Sequence, residues 1–309
     1  MFVAFGAMTF MHAWSMTHYA EPSVRTTRAA ELSGWGRLLV MAKGATIRRQ
    51  INKRAPNDIG LEFSTRTFTG AHGLKLEAWC IPGTIAAPAV LMFPGYGGSK
   101  DTLLPAAKEF AALGWEIWLI DPHGIGGSEG TTTSIGWHEA TDVAAAFREF
   151  RSGSNGACVL YGTSMGAVAI LRAAHEGWVK PDALILECPF DRFTHPIATG
   201  YGRFGLPGNL FGPATAFWVG AQQGFNAFDH NPVEYISSVR CPVLLLQGED
   251  DDTIGRAYVR AVGNGLGPNG TFAFLPGAGH AFLVTGAAKV WKSSMRSFAS
   301  RTFPGSEVR

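Results

Sequence analysis

Between residues 89 and 275 the chain repeats one rhythm. A short run of apolar positions is followed by a turn, then by a longer stretch with apolar residues three and four apart. The apolar runs fall at 89–93, 115–120, 157–161, 183–186, 242–247 and 271–275. Runs of this length, rich in Val, Leu, Ile and Phe and bounded by Gly or Pro, predict strands buried on both faces. Helical patterns over 102–113 and 167–174 separate them, and strands alternating with helices predict a mostly parallel sheet flanked by helices, an α/β fold.

Two stretches break the rhythm. Residues 191–239 form an insertion rich in Gly, Pro and large apolar side chains: Phe193, Phe204, Leu206, Leu210, Phe211, Phe217, Trp218, Phe225 and Phe228. At the other end, residues 1–20 hold no Lys, Arg, Asp or Glu, and about 20 apolar residues suffice to span a bilayer. No basic residue precedes this run, and His18 and Ala20 make a poor cleavage site for a signal peptide. Residues 21–55 follow with Arg25, Arg28, Arg37, Lys43, Arg48, Arg49, Lys53 and Arg54 against Glu21 and Glu31 only. This segment is read as helical, and 35–51 has an amphipathic basic character suited to anionic lipid. Two readings stand side by side. In one, the N-terminus associates with a membrane, and if 1–20 spans it the basic flank places the remaining domain in the cytoplasm or on the cytoplasmic face. In the other, 1–20 is a helix packed on the body. The expected division is therefore 1–20, 21–55, and a main domain over 56–309 that carries the insertion.

At 309 residues the chain is long enough for one large core. A net charge of +2 gives no case for nucleic acid. Cys80, Cys158, Cys188 and Cys241 lie in or beside strand patterns without metal-like spacing and read as buried free thiols; no metal or cofactor is expected.

The candidate chemistry gathers at strand ends. Gly162-Thr163-Ser164-Met165-Gly166 follows the run at 157–161 and opens the helical pattern at 167–174. A serine on such a strand-to-helix turn is pushed into the open, and glycines on either side allow the tight backbone. A serine hydroxyl needs a base, and the base needs a carboxylate that fixes its tautomer. The strand at 242–247 ends in Gly248-Glu249-Asp250-Asp251-Asp252, and that at 271–275 ends in Pro276-Gly277-Ala278-Gly279-His280. Both sit past the C-terminal ends of strands, where chemistry collects on an open parallel sheet. Of nine histidines, only His280 combines a glycine-rich turn, a preceding strand and a place after the acidic run; His123, after 115–120, is a weaker neighbour of the same edge. Glu187, ending the run at 183–186, is a reserve acid. The Met165 amide, directly after the serine, is a candidate oxyanion donor.

Taken together these features resemble the α/β-hydrolase superfamily over about residues 60–305. Asp121-Pro122-His123-Gly124-Ile125-Gly126-Gly127-Ser128 is similar to its Asp-x-Arg-Gly-x-Gly-x-Ser loop, with His in place of Arg. Within the superfamily the resemblance is to bacterial esterases and relatives of S33 peptidases. It implies an α/β-hydrolase fold with a small helical lid at about 191–239. Gln247-Gly248-Glu249-Asp250-Asp251 resembles the family's His-Gly-x-x-Asp turn, which implies Asp251 as the triad acid, with Asp250 the alternative and Asp252 on the following helix. Pro94-Gly95-Tyr96 resembles its His-Gly-x loop, which implies the Tyr96 amide as second oxyanion donor, although Pro94 replaces the usual histidine. The implied activity is a serine hydrolase acting on a small-molecule ester or thioester through a Ser164–His280–Asp251 triad. A peptidase or amidase of the same fold is the variant within that class, and a non-hydrolytic binding protein is the alternative outside it. Lid aromatics such as Phe211 and Trp218 are expected either to line an acyl pocket or simply to pack the lid.

Overall fold

A computed structural model describes residues 2–27, 34–280 and 283–304. Within them one sheet is built from β1 (Ser64–Thr69), β2 (Lys75–Ile81), β3 (Ala89–Phe93), β4 (Glu116–Asp121), β5 (Cys158–Thr163), β6 (Ala183–Glu187), β7 (Val243–Gly248) and β8 (Gly270–Leu275). Its order is β1-β2-β4-β3-β5-β6-β7-β8. Strand β2 runs antiparallel to β1 and β4, while every pairing from β4 through β8 is parallel. Each of the six apolar runs in the sequence is a strand of the parallel part. The helices, in chain order, are α1 (Phe2–Thr17), α2 (Gly34–Lys43), α3 (Leu104–Ala112), α4 (Glu139–Gly153), α5 (Met165–His175), α6 (Thr194–Arg203), α7 (Gly208–Gln223), α8 (Pro232–Tyr235), α9 (Arg256–Asn264), α10 (Leu283–Gly286) and α11 (Ala288–Thr302).

The two-residue period of the strands divides the core into two layers. Leu91, Leu160, Leu184 and Leu245 face α4 and α5, where Val143, Val168 and Leu171 complete one layer. Their neighbours Val90, Val159, Ile185 and Leu244 face the other way, onto Phe110 of α3 and Trp291 and Phe298 of α11. Burial on both faces is the reason these strands read as continuous apolar runs rather than as alternation. The order of the sheet brings the C-terminal ends of β3, β5, β7 and β8 to one edge, and the loops that leave them carry the chemistry.

The insertion folds as helices α6, α7 and α8 above that edge. The N-terminal region lies against it. Thr9, Ala13 and Thr17 of α1 are buried, and the ring of Phe5 meets Phe211 at 4.9 Å while Phe10 meets Trp218 at 5.3 Å. The hydroxyls of Thr9 and Thr17 donate to carbonyls one turn back in α1, so burying them leaves no polar group unpaired. No helix among the described residues is long and apolar enough to cross a membrane. Among the described residues of the basic segment, only α2 is helical. Beyond it the chain runs without helix along the body, where Arg49 donates to the carbonyls of Gly126 and Ser128.

Candidate active site

Ser164 sits between the last residue of β5 and the first of α5, with φ 49° and ψ −114°, a conformation that L-residues rarely adopt. The surroundings enforce it. A Cβ on Gly162 would stand 2.5 Å from the Ala167 nitrogen, and one on Gly166 would stand 2.4 Å from the Phe93 carbonyl. Both flanking positions therefore accept only glycine, and the serine N–H is held by the Glu187 carbonyl at 2.7 Å. The side chain is thereby aimed at the loop that follows β8.

There Ser164 Oγ lies 3.0 Å from His280 Nε2, and His280 Nδ1 lies 2.8 Å from Asp251 Oδ2. The structure thus brings together the three residues singled out in the sequence. Asp251 is almost fully buried and saturated with donors. Its carboxylate accepts from Gln247 Nε2 at 2.6 Å and from the amides of Thr253 and Ile254, each at 2.8 Å. Burial works against its charge, but the hydrogen bond and positive charge of His280 and the two amides outweigh burial and hold the carboxyl below its usual value. The alternatives point elsewhere. Asp250 is exposed, and Asp252 pairs with Arg203 of α6 at 2.9 Å. Asp252 does not lie on the following helix, which begins only at Arg256, because residues 252–255 form the turn whose amides hold Asp251. Glu187 accepts from Trp291 Nε1 at 2.5 Å instead of meeting the histidine, and burial pushes its carboxyl up to about 7 against the pull of the Trp291 and Tyr161 hydrogen bonds.

Met165 opens α5, so its N–H has no acceptor within the helix and faces outward beside the serine. Gly95, next to Tyr96, passes so close to Ser164 that a Cβ there would stand 3.3 Å from Ser164 Cβ. Tyr96 is fastened at its far end, where its hydroxyl donates to the Met16 carbonyl of α1 at 2.6 Å. The remainder of this loop is tied to the one after β4. The fully buried Lys100 pairs with Glu77 at 2.7 Å and with Asp121, and Asp121 also accepts from the Lys100 amide at 2.7 Å and the Gly127 amide at 2.9 Å. His123 is drawn away from Ser164 and His280: its Nδ1 meets Asp142 at 2.5 Å. Burial alone would lower its pKa, but Asp142 and Glu139 together raise it to about 9.

Beside Ser164 and His280 opens a cavity of about 510 Å³. Its walls are mostly apolar and include Met16, Leu103, Ile135, Phe190, Phe193, Ile197, Ile254 and Val284, with Tyr161 and Glu187 also lining it. Of the lid aromatics considered in the sequence, Phe193 alone is among the residues that line this space. Phe211 and Trp218 cover α1, Phe225 stacks on Trp137 at 4.7 Å, and Phe204, Phe217 and Phe228 are exposed. Of the two expectations for Phe211 and Trp218, packing fits the structure and lining an acyl pocket does not: helix α1 occupies the face they present. Sequence reasoning also missed Gln247, whose one signal is an amide closing an otherwise apolar strand, and Met16, for which no local signal exists. Cys188 Sγ, Asp251 and His280 lie within 4.8 Å of one another. Burial holds the thiol well above its usual pKa, so it is not the thiolate a metal would require, and the other two groups already hold each other.

Comparison with known proteins agrees with this architecture. The family described as "Serine aminopeptidase, S33" matches residues 85–209. An uncharacterised Bacillus subtilis protein, YqkD, is 32% identical over 198 residues, covering 63% of this chain and 65% of that one. The lysophosphatidylserine lipase ABHD12 of Xenopus tropicalis is 30% identical over 196 residues, covering 60% of this chain and 48% of the lipase. This chain thus spans under two thirds of the one relative and about half of the other. An esterase from Pyrococcus furiosus superposes with a TM-score of 0.70 at 22% identity, over 82% of this chain and 96% of the esterase.

Proposed function

Because the chain belongs to the α/β-hydrolase superfamily, we propose that it is a serine hydrolase that cleaves an ester or thioester of a small molecule with an apolar acyl group. The observation that carries this reading is the hydrogen-bonded line Ser164–His280–Asp251, at 3.0 and 2.8 Å, at the side of an apolar cavity of about 510 Å³. His280 Nε2 takes the proton of Ser164 Oγ as the oxygen attacks the carbonyl carbon of the substrate. The oxyanion that forms is met by the amides of Met165 and Tyr96. Collapse breaks the bond to the leaving alcohol or thiol, which receives the proton from His280. A water molecule then gives its proton to the same nitrogen and attacks the acyl carbon, releasing the acid and restoring Ser164. Asp251 keeps its charge throughout and stabilises the imidazolium.

The aminopeptidase activity named for the matching family finds less support. Binding a peptide's free amino terminus calls for an ionised carboxylate in the pocket. Glu187 is the one acidic residue among the described cavity walls, and it is buried, engaged by Trp291 and half neutral near pH 7. The reading is tested by fluorophosphonate labelling followed by p-nitrophenyl esters of increasing chain length. Labelling of the wild type, loss of label in Ser164→Ala and turnover of esters in preference to aminoacyl p-nitroanilides are expected. A Ser164→Ala variant that still labels in full overturns it.

A further inference from the structure

Helix α1 is built inside out. Its buried stripe is Thr9, Ala13 and Thr17, whereas its solvent-facing stripe is Val3, Ala4, Ala7, Phe10, Met11 and Trp14. The surface helix of a globular protein shows the reverse arrangement. Two neighbours repeat the anomaly. On α2 the exposed positions include Trp35, Leu38, Leu39 and Ala42, with Trp35 72% and Leu38 56% exposed. On α7, Leu210 and Phe217 are each 55% exposed. The three helices are adjacent. Phe5 and Phe10 of α1 pack on Phe211 and Trp218 of α7, and His12 of α1 meets the Met41 carbonyl of α2 at 2.9 Å. Contiguous apolar surface of this kind marks a site of association.

We infer that α1, α2 and α7 form a platform that rests in the headgroup region of an anionic lipid bilayer, without spanning it. Charge selects this occupant. Lys43 ends the α2 stripe, and exposed Lys53 and Arg54 lie on the segment that follows, within a stretch whose acidic residues are Glu21 and Glu31 alone. A basic flank beside an apolar face is attracted to anionic headgroups. Trp14 and Trp35, both at least half exposed, are of the type that settles at the boundary between hydrocarbon and water. A second copy docked face to face about a twofold axis would bring two identical basic segments together, which disfavours it.

The platform also adjoins the catalytic cavity. Met16, two residues after Trp14 of the outward stripe of α1, lines that cavity, and its carbonyl holds Tyr96. An acyl substrate dissolved in the lipid therefore has a short apolar route to Ser164; this delivery role rests on the hydrolase reading above, whereas the docking does not.

The test is sedimentation of the full chain with large vesicles of phosphatidylcholine, alone or mixed with phosphatidylglycerol. The wild type is expected to pellet with the mixed vesicles and to be released as salt rises. The double variant Trp35→Glu/Leu38→Glu is expected to lose at least about tenfold in vesicle affinity while turning over soluble p-nitrophenyl butyrate as the wild type does. Ser164→Ala is expected to bind vesicles normally, so loss of docking and loss of chemistry are read separately. Wild type that stays in the supernatant with both vesicles, or a double variant that binds as well as wild type, overturns the proposal. A wild-type dimer in light scattering that the double variant converts to monomer also overturns it and assigns the face to a second copy.

Discussion

The hydroxyl of Tyr96 donates to the carbonyl of Met16 at 2.6 Å, and this bond joins the loop beside Ser164 to the last turn of α1. The N-terminal helix is thus part of what fixes a candidate oxyanion donor. Tyr96→Phe removes the bond but keeps the ring. One hydrogen bond of this kind contributes about 1 kcal/mol, so kcat for a soluble ester is expected to fall several-fold with KM little changed. Steady-state kinetics on purified variant checks this; unchanged kcat would show that the loop keeps its place without the tether.

Removing residues 1–20 has a larger effect. It deletes Met16 from the cavity wall and uncovers Phe211, Trp218 and the Tyr201 hydroxyl, which meets His12 at 2.8 Å. The truncated protein is expected to melt at a lower temperature and to lose most ester turnover. Full activity after truncation would make α1 dispensable to the site.

Within the acidic turn, Asp251→Asn is expected to cost about 10⁴-fold in kcat, because the amide cannot hold the same histidine tautomer or stabilise the imidazolium. Asp250→Asn, on an exposed side chain, is expected to stay within about twofold of wild type. Reversal of that order in measured kcat would relocate the acid.

Glu187 makes stability depend on pH. Its carboxyl is raised from 4.5 to about 7 by burial, so between those values the folded chain binds more protons than the unfolded one, and stability falls as pH rises through that window. The whole effect is of order 3 kcal/mol, present below the unfolded value and lost above about 7. Glu187→Gln mimics the neutral acid and keeps an oxygen for Trp291. It is expected to melt higher than wild type at pH 8 and nearly level with it at pH 5, as followed by thermal denaturation across that range. Parallel melting curves for the two proteins would refute the linkage.

Chain-length preference is expected to respond to Ile197 and not to Phe211. Ile197→Phe narrows the cavity and should depress turnover of long acyl esters more than short ones. Phe211→Ala removes a contact with α1 and should lower the melting temperature without shifting that preference. A p-nitrophenyl ester series on both variants decides between them.

The legible parts of the molecule are those in which a local pattern carries the constraint. The strand before Ser164 and the helix after it are adjacent in sequence, and the two glycines are required by clashes with residues four or five positions away or with the neighbouring strand. The acidic turn and His280 could be placed because each follows an apolar run, whereas Asp251 was singled out within that turn by its resemblance to the family's His-Gly-x-x-Asp turn. Residue 252 was misplaced onto a helix because the pattern does not reveal that the amides of Thr253 and Ile254 turn back onto Asp251 before Arg256 starts the helix. The aromatics of α7 were left undecided for a more general reason. Periodicity tells which face of a helix is apolar but not which distant element covers it, and here the cover is α1, whose Phe5 and Phe10 meet Phe211 and Trp218 and whose His12 reaches Tyr201 of α6 across 189 residues. The same limit hid Met16 from the cavity.

That separation has a consequence for how the protein is made. Helix α1 leaves the ribosome long before α7, its principal neighbour, and before residue 201, whose hydroxyl meets His12. Contacts so far apart along the chain close late in folding, since the intervening loop entropy must be overcome first. The earlier-made segment is therefore seated late, and the wall of the cavity that Met16 supplies is missing until the insertion has emerged. A nascent chain halted before residue 201 has its nucleophile elbow and most of its sheet but no finished pocket. The cavity stays unassembled while the two ends of this contact are still apart, and an apolar helix waits at the surface for the element that will cover one side of it.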